Sequence, residues 1–128
     1  MKKRNLNWYF FRLYLLSLIT LMLIKTKGTI QLSSTILGIR SDYFIHACLF
    51  IPFMGLKWFS NRFNLNFSSV VYSYGFGIAF AALCESLHLL VPYRTFSIYD
   101  FFANSVGLTI GYLFLIVIAP FFMAHKSS

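Results

Sequence analysis

The chain contains very little acid. Its 128 residues hold 3 Asp+Glu against 11 Lys+Arg, and charged residues of both signs amount to 11%. So little charge excludes an ordinary soluble domain, which needs polar surface to cover its core. Proline (3) and glycine (7) are also scarce, so few breaks interrupt the long runs between them. The two cysteines, Cys48 and Cys84, sit inside apolar runs at a spacing that suits no metal site. They are expected as buried free thiols, with a disulfide as the less favoured alternative. No repeat and no low-complexity tract is evident, and a single domain over residues 1–128 is expected.

What the chain has instead is apolar and aromatic residues, 59% and 20% of the total. Polar residues are clustered between long apolar runs, the pattern of a membrane protein. The runs predict helices at about 6–24, 42–59, 68–91 and 100–123, each near the ~20 residues that cross ~30 Å of hydrocarbon. The fold class expected is therefore all-α, a polytopic bundle of four transmembrane helices. The first run has no small-x-small cleavage site and ends at "KTKG", so it reads as an uncleaved helix rather than a signal peptide. Pro52 predicts a kink in the second helix. Residues 25–41 form a longer, partly amphipathic connection suited to the interface. The net charge of +8 could suggest nucleic acid, but the cations lie at the ends of apolar runs rather than along one face. They are topology signals and contacts for anionic lipid, and no nucleic-acid partner is expected.

Four spans impose a parity. The start of the second helix, the end of the third and the start of the fourth share one side of the membrane. Asp42, His46, Glu85, His88, Arg94, Asp100 and Asn104 therefore lie at one face, including every acid in the chain. At about 100° per residue, Asp100, Asn104, Gly107 and Gly111 share one stripe, as do Gly77, Ala81, Glu85 and His88. Stripes of small residues are where membrane helices approach each other, so the polar groups are expected to face the bundle interior. "GLTIG" at 107–111 is a GxxxG pattern and also permits a homo-oligomer. Lys2, Lys3, Arg4, Arg12, Lys57, Arg62 and Lys126 fall on the terminal side, against Lys25, Lys27, Arg40 and Arg94 opposite. The positive-inside rule then places both termini in the cytoplasm and the polar cluster outward.

Each cluster residue has a structural and a chemical reading. A carboxylate at the depth of Glu85 must be protonated, paired or hydrated, and it either ties helices together or serves as an acid or base. His46, one turn after Asp42, is either a base oriented by that carboxylate or half of a capping pair. Glu85, His46 and Asp42 are the catalytic candidates. Arg94 suits an anionic headgroup or clamps Asp100 or Glu85, Asp100 is an N-cap candidate, and His88 is a capping or interfacial histidine. With Asn104 these are the ligand-binding candidates. Histidine and carboxylate can hold a metal, but nothing in the spacing demands one and none is expected. The sequence names no cofactor.

"SDYFIHACLF" and "ALCESLHLLVPYRTFSIYDFFANSVGLTIGYL" resemble the two blocks of the VanZ-like, or teicoplanin-resistance, membrane family. The first has its D-x-x-x-H opening. The second has an E-x-x-Q/H step, a P-x-R-x-x-x-x-x-D turn and an N-x-x-G-x-x-x-G helix. The resemblance covers roughly residues 41–113, with Tyr43 where a lysine is frequent and His88 where glutamine is common. It implies a small multi-pass protein of a bacterial cytoplasmic membrane, related to the cell envelope or to glycopeptide resistance. The leading expectation is an outward polar pocket for a lipid or lipid-linked cell-wall precursor. The alternatives are a lipid-phosphate hydrolase or transferase, and a non-catalytic helper of an envelope complex.

Overall fold

A computed structural model describes residues 4–24, 41–61 and 66–126. Its helices are α1 (Arg4–Leu23), α2 (Ser41–Phe50), α3 (Pro52–Ser60), α4 (Phe67–Leu87) and α5 (Ile98–Lys126), with a 3-10 turn at His88–Leu90. No strand occurs among the described residues. Four segments are long and apolar enough to cross a membrane: Leu6–Leu23, Ser41–Ser60, Phe67–Leu90 and Ile98–Ala124. They fall within a few residues of the expected helices, and the chain is an all-α, four-span protein. The connection expected at 25–41 lies outside the described residues apart from Ser41, as do Lys2, Lys3 and Arg62.

The second span bends where proline requires it. Pro52 has no N–H to offer the preceding turn, so α2 ends at Phe50 and α3 begins at Pro52. The Tyr14 hydroxyl of α1 donates to the Leu49 carbonyl at this bend, at 2.6 Å. The fourth span starts earlier than expected, and this changes its cap. Ser97 Oγ accepts from the Asp100 backbone N–H at 3.2 Å, and the Ser97 carbonyl accepts from Phe101 N. Ser97 is thus the N-cap and Asp100 lies in the first turn, correcting the expectation that Asp100 itself is the cap. An acid there still opposes the positive end of the helix dipole.

The middle of the bundle is filled by rings. Phe53, fully buried, lies 5.5 Å from Phe11, 6.0 Å from Phe50 and 6.1 Å from Phe80, centroid to centroid. These separations lie in the 4.5–7 Å range at which aromatic pairs attract. Nearer the opposite end, the Lys57 ammonium lies over the Phe11 and Phe76 rings at 5.0 and 5.2 Å. Arg12 stacks over Trp8 at 3.1 Å, so both cations have aromatic neighbours within apolar spans.

The most extensive pairing is α2 with α5. It is made by backbone rather than by interlocking side chains. A Cβ on Gly107 would stand 2.0 Å from the Ala47 carbonyl oxygen, and one on Gly111 would stand 2.1 Å from that of Ile51. The GxxxG face is therefore occupied within the chain, by α2 and the bend that follows it. At Gly77 the nearest obstacles are Leu108 and Phe53 side chains, which can turn aside. Gly75 has nothing within 4 Å.

This difference is directly testable. Gly107→Ala and Gly111→Ala should each destabilise the detergent-solubilised protein by about 1–3 kcal/mol or more, as overpacking against fixed backbone does. Gly75→Ala should lie within about 0.5 kcal/mol of wild type. Thermal unfolding monitored by circular dichroism would separate the two classes.

Candidate functional site

The close approach of α2 and α5 sets His46 against Asn104 one turn above Gly107, with α4 presenting Glu85 beside them. Glu85 and Asn104 have no solvent-accessible surface, His88 retains 1% and His46 5%. Asn104 Nδ2 donates to Glu85 Oε1 at 3.1 Å. Its Oδ1, which can only accept, faces His46 Nδ1 at 3.2 Å, so that nitrogen carries the proton. The same His46 nitrogen is 3.6 Å from Glu85 Oε1. One asparagine thus orients both a carboxylate and an imidazole. The stripes read from the sequence do converge.

On the other side of the carboxylate, His88 Nδ1 stands 3.1 Å from Glu85 Oε2. The contact lies outside hydrogen-bonding geometry, and Oε2 remains buried without a hydrogen bond. His88 Nε2 donates to the Met22 carbonyl at 3.2 Å, so that nitrogen carries a proton. The His88 and His46 rings meet edge to face, 6.4 Å apart. His88 is therefore a core residue, not the interfacial histidine that its place near a helix end suggested.

The carbonyls that close α1 were not recognised in the sequence as part of this site. A helix end leaves its last carbonyls without intrahelical donors. Here Met22 O receives His88, Leu23 O receives the Tyr93 hydroxyl at 3.1 Å, and Ile24 O receives Arg94 Nη2 at 2.8 Å. Arg94 thus clamps neither Asp100 nor Glu85. It closes α1, where a cation also suits the negative end of the dipole. Only the crowding of donors in "HLLVPYR" hinted at this. Hydropathy cannot say which helix end lies opposite.

The other expected residues distribute as a rim and an outlier. Asp42, Arg94 and Asp100 are partly exposed at the same end as the buried group. Asp42 heads α2, one turn before His46, whose Nδ1 faces Asn104 and Glu85. Ligand atoms of His46, Glu85 and Asp100 all lie within 4.8 Å of one another. Both thiols are free, but Cys48 is exposed on the outer face of α2 while Cys84 is buried, so they are not the matched buried pair expected.

A family model described as VanZ/LLP1 matches residues 10–119. The chain belongs to the VanZ/LLP1 family. No curated protein and no solved structure matches it. The matched region runs from α1 to near the end of α5, so it includes every member of the buried cluster and the helix end that receives its donors.

Asn104 is the residue whose loss this arrangement should feel most. Asn104→Leu keeps the volume but leaves a buried carboxylate and a buried imidazole without a shared partner. A loss of about 1–3 kcal/mol per unsatisfied group is expected. Removing the exposed Tyr74–Thr109 hydroxyl bond with Thr109→Val should cost less than about 0.5 kcal/mol. Thermal unfolding of both variants in one detergent would make the comparison.

Proposed function

We propose that this chain is a multi-pass protein of a bacterial cytoplasmic membrane, with both termini inside, that serves glycopeptide resistance or envelope maintenance by engaging an anionic lipid or lipid-linked headgroup. The observation that carries this reading is Arg94, partly exposed at the same membrane face as the closed Glu85–His46–His88–Asn104 group. The seven-to-four distribution of cations favours the rim facing outward.

Arg94 would grip the anion. A guanidinium has five N–H donors, and the bond to Ile24 uses one of them. A phosphate or carboxylate can therefore be held without undoing the tie to α1. Glu85 and its partners lie beneath, where they hold the heads of α2 and α5 and the tail of α4 in register. The closed geometry favours binding over nucleophilic catalysis by the chain itself. Cys84 is buried, Ser86 donates to its own helix at Ala82, and the Ser97 hydroxyl caps α5.

The test is to express wild type, Arg94→Ala and Asp100→Asn in a teicoplanin-sensitive bacterium, following susceptibility, membrane lipid profile and protein abundance together. Wild type should lower susceptibility or alter the lipid profile, and Arg94→Ala should abolish the effect at unchanged abundance. Full retention of the wild-type effect in both variants would remove the headgroup reading. A loss of effect that tracks loss of protein in both would favour the helper role.

A further inference from the structure

We propose that His46, Glu85 and Asp100 bind one divalent transition-metal ion, of the zinc or manganese class. Their ligand atoms already lie within 4.8 Å of one another, with the His46 ring free to offer Nε2 while Nδ1 is held by Asn104. Ligands on one such ion at about 2.0–2.2 Å each are separated by roughly 3–4.4 Å, so only a small inward movement is required. The donor set, one imidazole and two carboxylates, suits a borderline or moderately hard ion.

A second observation, independent of this spacing, points to an absent positive group. Glu85 is fully buried, and its Oε2 has no hydrogen bond. The titratable groups nearest Glu85 are two histidines, and Arg94 is turned to the Ile24 carbonyl. Among the described residues, no lysine or arginine pairs with Glu85 or Asp100. A buried and a partly exposed carboxylate thus converge without a fixed cation, and a divalent ion would supply a positive charge.

The surroundings are those of a supported site. Asn104 orients both Glu85 and His46, the role that hydrogen-bonded neighbours play around metal ligands. Asp100 is partly exposed at the membrane face, which gives an ion a way in past the rim. Three protein ligands would leave at least one position for water, as in ion sites that act on a substrate rather than only brace a fold. Binding would displace protons held by the cluster, so affinity should fall as pH is lowered.

The experiment uses the full chain in detergent micelles, stripped with a chelator and titrated with Zn2+ and separately with Mn2+ by calorimetry, while thermal unfolding is followed with and without ion. One ion per chain is expected, with a rise in unfolding temperature on binding. Asp100→Asn, at the partly exposed edge, should keep the helical content of wild type. It should bind about 10–100-fold more weakly, and His46→Gln should lose affinity similarly. Absence of stoichiometric binding by wild type with both ions would overturn the proposal, as would unchanged affinity in a folded Asp100→Asn variant. The proposal is separate from the headgroup reading. No ion binding, together with loss of the cellular effect in Arg94→Ala, would sink the metal site and leave that reading in place.

Discussion

The backbone of α2 rests on two glycines of α5, and the polar centre depends on that contact. The approach at Gly107 and Gly111 is too close to admit even a methyl group. It brings the carbonyl side of α2 against a helix whose next turn carries Asn104. Because the two helices meet at fixed backbone, their relative height cannot slide by a residue without a clash. Register is set by glycine, and the hydrogen bonds above inherit it. The packing is strongest where side chains are smallest, as expected when lipid supplies no hydrophobic drive between helices.

Given that register, the cost of burying Glu85 is offset by a connected set of donors rather than by one strong ion pair. Asn104 serves two neighbours, and His88, beside the carboxylate, ties the end of the third span to the end of α1. Polar networks of this kind stabilise when complete and become costly when one member is missing. The set also links all four spans: α1 through Met22, the second through His46, the third through Glu85 and His88, and the fourth through Asn104. The aromatic cluster around Phe53 fills the space below but does not specify register, since rings tolerate several tilts.

Much of this arrangement was legible in the sequence. Apolar run length gave the spans, parity put every acid at one face, and the 3.6-residue period aligned Glu85 with Ala81 and Gly77. What could not be read was lateral order. GLTIG looked equally ready for another copy of the chain, because the motif states that a helix will approach, not which one. For the same reason, Arg94 was matched to the acids nearest in sequence, whereas its partner is a carbonyl 70 residues away. Cys48 was judged buried from its apolar neighbours, yet in a membrane the outer face of a helix is as apolar as its inner one. The shift of the α5 cap from Asp100 to Ser97 had a local cause: both residue types cap well, and the decision lay in how far the turn after Arg94 extends.

The donors on the α1 carbonyls join the rim to the core in a way that bears on mechanism. Tyr93 and Arg94 lie in the turn between α4 and α5, and both reach the end of α1. His88 reaches the same end from beneath while its other ring nitrogen faces Glu85. The turn, the end of α1 and the histidine beside the buried carboxylate are thus tied together. Any influence that this shared helix end carries between the turn and the centre must be reciprocal, of the same free energy in both directions.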